Sequence, residues 1–266
     1  MIIDNVNIEL THYNELKKDR PAILFLHGFT GSVCDWNIIA EELKKEDCNL
    51  IGMDLPGHGK SSSPDNIEYY RLPFLIKIVK SVISNLPQQK ITLAGYSMGG
   101  RLALAYAAQY PDDIFRLILE STSPGLADPL ERLNRIESDK KVINILEEKP
   151  IDEFVDYWMN IPLFATQRKY KTKLMELRER KLLNSPIGLA NSLKGFGTGV
   201  MPPQYENLKN ISSPVLLITG SLDTKFTEIN KNIVSAFPDA RHIIIEGAGH
   251  NVHFEKPKEY ALTVSS

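Results

Sequence analysis

Ile91-Thr92-Leu93-Ala94-Gly95-Tyr96-Ser97-Met98-Gly99-Gly100-Arg101 joins two patterns with opposite periodicities. Residues 91–94 form an apolar, strand-like run, whereas 98–109 repeats its apolar side chains at i, i+3 and i+4, the spacing of a helix. Between them G-x-S-x-G compresses the change from strand to helix into one strained turn, which lifts a serine hydroxyl above the sheet edge. The glycines are steric requirements, because a side chain at either flank of Ser97 collides with neighbouring backbone where the turn is tightest.

Comparable runs occupy 22–26, 49–53, 117–119, 215–219 and 242–245, each closed by Gly, Pro or Asp. They are apolar throughout instead of alternating, as strands covered on both faces are. With helical stretches such as 72–86 between them, they predict an α/β fold, a mostly parallel central sheet flanked by helices. Its functional edge lies at the carboxyl ends of the strands. From Pro124 to Glu206 no strand-like run occurs, while amphipathic patterns and prolines (Pro129, Pro150, Pro162, Pro186, Pro202, Pro203) do. The expected division is an α/β core of residues 1–123 and 207–266 with an inserted helical cap, 124–206.

The 266 residues carry 31 Lys and Arg against 33 Asp and Glu, a net charge of −2. That balance argues against general attraction to nucleic acid or to an anionic membrane, so neither is expected as a partner. Cys34 and Cys48 are too few for a disulfide framework and lack metal-ligand spacing; they read as ordinary thiols of a reducing compartment. Asp4, Glu9 and the polar stretch to Arg20 interrupt any signal-peptide core. No apolar run approaches the roughly 20 residues that span a bilayer. The expected location is cytoplasmic.

A serine hydroxyl is a weak nucleophile or base until an imidazole takes its proton. Of the six histidines, His250 in Gly247-Ala248-Gly249-His250-Asn251 lies in a loop after the last strand, where its ring reaches over the sheet edge. His253, three positions on, lacks a glycine-rich loop immediately before it. An acceptor must fix the imidazole tautomer, and Asp223 follows the strand at 215–219. The order Ser97, Asp223, His250 is that of α/β-hydrolase triads. At the end of strand 22–26, His27-Gly28-Phe29 turns the Phe29 amide inward. The Met98 amide, at the positive N-terminus of a helix, is the second donor of an oxyanion hole.

With His27-Gly28-Phe29, Asp54-Leu55-Pro56-Gly57-His58-Gly59, Gly95 to Arg101 and Gly247 to His250, the chain resembles the α/β-hydrolase superfamily over essentially its whole length. The Asp54–Gly59 stretch looks like that family's structural turn, which removes His58 from the catalytic candidates. A narrower resemblance rests on Tyr96 and Arg101 around Ser97, on Glu120-Ser121-Thr122-Ser123-Pro124-Gly125-Leu126, and on Trp158 with Pro162-Leu163-Phe164-Ala165. This set resembles the 2-succinyl-6-hydroxy-2,4-cyclohexadiene-1-carboxylate (SHCHC) synthases of menaquinone biosynthesis. The resemblance implies a lyase that expels pyruvate from a small-molecule tricarboxylate, with neither metal nor organic cofactor. It also implies that Tyr96, Arg101, Arg135 and one arginine of Leu177-Arg178-Glu179-Arg180, either Arg178 or Arg180, bind carboxylates while Trp158 packs on the substrate ring.

The residues support a demand for cations independently. Arg101, one helical turn after Ser97, suits a bidentate clamp on a carboxylate. The stretch 164–183 holds seven cations (Arg168, Lys169, Lys171, Lys173, Arg178, Arg180, Lys181) against Glu176 and Glu179. Two other functions fit the same chain. A hydrolase acting on an ester, or on a carbon–carbon bond beside a ketone, needs an apolar acyl pocket in place of converging cations. A ligand-binding receptor that keeps the fold has no use for the intact Ser97, Asp223 and His250.

Overall fold

The computed structural model describes residues 1–88 and 90–266. Its strands are β1 (Ile2–Ile3), β2 (Val6–Asn7), β3 (Leu10–His12), β4 (Ala22–Leu26), β5 (Asn49–Met53), β6 (Ile91–Tyr96), β7 (Ile114–Glu120), β8 (Val215–Gly220) and β9 (Ala240–Ile245). Seven of them form one sheet in the order β3-β5-β4-β6-β7-β8-β9. β3 runs antiparallel to β5 and the other pairings are parallel. Every residue of β4, β5, β6 and β8 is buried, which is why these strands read as unbroken apolar runs.

The helices are α1 (Asn37–Leu43), α2 (Leu72–Ser84), α3 (Met98–Gln109), α4 (Pro129–Glu148), α5 (Ile151–Met159), α6 (Lys171–Leu182), α7 (Pro186–Phe196), α8 (Thr224–Ile233), α9 (Val252–Glu255) and α10 (Pro257–Ser265). One face of the sheet packs Leu24, Leu26, Leu93, Leu117 and Leu119 against α2 and α3. The other packs Phe25, Ala94, Ile118 and Ile218 against Trp36, α1 and α10. α4, α5 and α7 bury a separate cluster, including Val142, Leu146, Phe154 and Leu193, onto which Phe29 and Trp158 pack. Asp128 caps α4 through the Glu131 amide, and Pro129 supplies the preset φ of its first turn.

The strands expected at 22–26 and 49–53 have those bounds, and the other four extend by one to three residues at one or both ends. The short N-terminal strands have no counterpart in the sequence reading. β1 and β2 are joined through Asp4 and Asn5, both at positive φ, as a two-residue hairpin turn requires. Segments of two or three residues are too short to display a periodicity. Among the described residues no helix is long and apolar enough to cross a membrane, and no cluster of His, Cys, Asp and Glu is arranged to hold a metal ion.

Candidate active site

Ser97 occupies the turn between β6 and α3 at φ 49° and ψ −104°, a backbone conformation that a non-glycine residue adopts only under constraint. The constraint is visible on both sides. A Cβ on Gly95 would lie 2.5 Å from the Gly99 carbonyl, and one on Gly99 would lie 2.5 Å from that of His27. The Ser97 amide donates to the Glu120 carbonyl at 2.9 Å, tying the turn to β7.

His250 Nε2 lies 3.2 Å from Ser97 Oγ, and its Nδ1 lies 2.7 Å from Asp223 Oδ2. A carboxylate only accepts, so Nδ1 carries the proton and the Nε2 lone pair faces the serine. His250 and Asp223 are 2% and 7% exposed, so water does not compete for this hydrogen-bonded chain. Asp223 follows β8 and His250 follows β9, both at the carboxyl edge that Ser97 occupies. His253 is held elsewhere: its ring stacks on Trp36 at 4.3 Å, and its Nδ1–H and amide donate to the two carboxylate oxygens of Glu120. His58 is buried with its pKa well below the ordinary value, chiefly from desolvation, in a loop braced by Asp54 against the Val33 and Lys60 amides.

His27 fixes the other side of the site. Its Nε2 accepts the Leu55 amide at 3.0 Å, so Nδ1 is the donor to the Gly28 carbonyl at 2.8 Å. That carbonyl also accepts the Gly31 amide. In a trans peptide C=O and N–H point in opposite directions, so both bonds turn the Phe29 N–H away from the turn. Among the described residues neither the Phe29 nor the Met98 amide has a protein partner.

Ser97 and His250 open into a cavity of about 740 Å3, between the sheet edge and α4, α5 and α7. Tyr96, Arg101, Arg135 and Trp158 all line it, together with Phe29 and Met98. Arg101 is 8% exposed and, among the described residues, has no carboxylate partner. One of its terminal nitrogens donates to the Phe196 carbonyl at 2.9 Å, and the guanidinium lies over the Phe196 ring. Burial first, and then the nearby Arg135, push its pKa down to about 9, which leaves it charged at neutral pH. Arg135 donates to Asp139 at 2.8 Å; burial raises the pKa of that carboxyl against the pull of the guanidinium. Burial first, and then the nearby Glu120 and Asp223, push the Tyr96 phenol well above its ordinary pKa, while Trp158 meets Phe29 edge-on at 5.1 Å.

Arg178 and Arg180 do not reach this cavity. Arg178 forms a bidentate pair with Asp156 of α5, and Arg180 turns toward Asp35 at 3.6 Å on a separate cavity of about 190 Å3. The expectation is corrected in either register: α6 docks with Arg178 facing Asp156 of α5 and Arg180 facing Asp35 before α1, so neither arginine is aimed at Ser97. A cation not anticipated from the sequence does line the main cavity. Lys225 sits in the first turn of α8, two residues after Asp223. The chain order placed that turn at the functional edge, and this was the only available signal.

The pattern of the alpha/beta hydrolase fold family matches residues 21–257. An Enterobacter sp. (strain 638) protein named 2-succinyl-6-hydroxy-2,4-cyclohexadiene-1-carboxylate synthase is 31% identical over 92% of this chain and 90% of its own length. A Bacillus subtilis (strain 168) protein bearing the same name provisionally is 40% identical over 92% of this chain and 89% of its own. A solved structure of MenH from S. aureus superimposes with a TM-score of 0.86 at 32% identity, covering 97% of this chain and 96% of that one. The chain therefore belongs to the α/β-hydrolase fold family, and within it to the SHCHC synthases.

Proposed function

We propose that the protein is the lyase that converts 2-succinyl-5-enolpyruvyl-6-hydroxy-3-cyclohexene-1-carboxylate into SHCHC and pyruvate, a step of menaquinone biosynthesis in the cytoplasm. The observation that carries this reading is Arg101, a buried guanidinium facing the cavity that holds Ser97 and, among the described residues, without a carboxylate partner. Burying an unpaired cation costs several kcal/mol, a cost that a neutral ester leaves uncompensated and a carboxylate offsets. The substrate has three carboxylates, and the cavity wall has three cations: Arg101, Arg135 and Lys225. Residues 1–123 and 207–266 supply the proton chemistry, and 124–206 acts as the cap.

Ser97 Oγ takes the proton from ring C2, next to the succinyl ketone, while its own proton passes to His250 Nε2. Asp223 steadies the imidazolium that forms. The electron pair moves onto the ketone oxygen, between the Phe29 and Met98 amides. As the ketone re-forms, C2=C3 forms, the C3=C4 pair shifts to C4=C5, and the C5–O bond breaks. Enolpyruvate leaves and takes up the proton held on His250 to become pyruvate, so no water is consumed. Tyr96, Arg101, Arg135 and Lys225 hold the carboxylates, and Trp158 covers the ring.

The test follows pyruvate release from the enolpyruvyl substrate by the purified protein and by Ser97→Ala. Expected is turnover that Ser97→Ala lowers by about a thousandfold. A variant as active as the parent overturns the role given to Ser97. If the parent binds the substrate and releases no pyruvate, the lyase reading fails.

A further inference from the structure

Lys181, near the end of α6, is only 9% exposed, and among the described residues no carboxylate lies within ion-pair distance of it. Its Nζ donates to Thr30 Oγ1 at 2.6 Å and to the Thr30 carbonyl at 3.4 Å. Asn184, three residues on, donates to the same carbonyl at 3.1 Å and accepts the Gly59 amide. Two groups from beyond the sheet domain thus grip one residue, and that residue is strained. Thr30 has φ 64°. It is the third residue of the turn closed by the Gly31 amide on the Gly28 carbonyl, the position of a type II turn that favours glycine. The second residue of the same turn is Phe29, whose amide is one of the two aimed at the reacting oxygen.

We infer that Lys181 is a positioning residue for the reaction: by holding Thr30 in its left-handed conformation, it keeps the Phe29 amide pointed at the developing oxyanion. A threonine freed from that hold prefers negative φ, and the turn that presents the amide then loosens. The cap segment, on this account, does more than cover the substrate; its docking completes the oxyanion hole. The inference rests on the proposed elimination, in which that hole stabilises the charge.

Burial pushes the Lys181 pKa down to about 8, so the charge that strengthens its bond to Thr30 is lost above that pH. The charged and titratable groups around it are Asp35 in the turn before α1, which favours the cation, Arg180 on its own helix, which disfavours it, and buried His58, which is near enough to feel the lysine and is itself uncharged. Tyr96 faces it across a small void.

The experiment measures pyruvate release by the parent, Lys181→Met, Thr30→Gly and the double variant, with thermal melting of each. Lys181→Met is expected to lower kcat about tenfold while KM stays within about twofold and the melting temperature does not fall. The parent loses kcat as pH rises through about 8, and the variant does not. Thr30→Gly, which adopts positive φ without strain, is expected to restore part of kcat in the Lys181→Met background. If Lys181→Met does not fold, Lys181→Gln takes its place. An unchanged kcat, a loss confined to KM, or a glycine substitution that recovers nothing overturns the inference. Absence of pyruvate from the parent defeats the lyase reading instead, so the two failures are distinguishable.

Discussion

Arg101 illustrates how a side chain can be unfavourable for the fold and useful for the site. Its guanidinium is buried beside another arginine and, among the described residues, is satisfied by a carbonyl, a thioether and an aromatic face. Arg101→Met is therefore expected to keep or raise the melting temperature while lowering kcat/KM about a hundredfold; a lower melting temperature with unchanged kinetics contradicts this account. Arg178→Ala gives the contrast. Its partner Asp156 is exposed and the pair lies outside the cavity, so pyruvate release is expected to stay within about twofold of the parent. A large loss would bring that arginine back into the site. Ser97, Asp223 and His250 were legible in the sequence because each lies in a short local pattern and because chain order brings them to one edge. The places of Arg178 and Arg180 were not, since the direction of a side chain on α6 depends on Asp156 and Asp35, 22 and 145 residues away. Lys225 was missed because a lysine in the first turn of a helix has no distinguishing pattern until the cavity wall closes around it.

The turn from β6 to α3 sets the position of the whole site. Gly99 packs against the carbonyls of Leu26 and His27, so the turn that carries Ser97 and the strand that leads to Phe29 share one contact. Gly99→Ala forces these backbones apart and is expected to cost roughly 3 kcal/mol or more of stability, read as a lower urea midpoint. An unchanged midpoint shows that the two segments are not in the contact described. At this scale the parallel strands were legible, because burial on both faces leaves an unbroken apolar run. The edge strand β3, with a half-exposed Leu10 and Thr11 and an exposed His12, offers no such run. The helices of the 124–206 segment were visible as a class, but their packing against Phe29 and Thr30 was not, since it rests on contacts between distant parts of the chain.

For the molecule as a whole, a net charge of −2 conceals a cavity with three cations and one carboxylate other than those paired beside it, Glu131. A trianion is drawn into such a cleft by the local field, and salt screens that attraction. Raising the ionic strength from about 50 mM to about 500 mM is expected to lower kcat/KM several-fold and leave kcat nearly constant. A neutral ester tested in parallel should show no such dependence, and equal salt effects on the two would contradict the charge account. The most direct measurement compares kcat/KM for pyruvate release from the enolpyruvyl tricarboxylate with kcat/KM for hydrolysis of a p-nitrophenyl ester, on the same preparation. The expected ratio favours the tricarboxylate by about a thousandfold or more. Rapid ester hydrolysis with no pyruvate formed would contradict the assignment of this site to elimination.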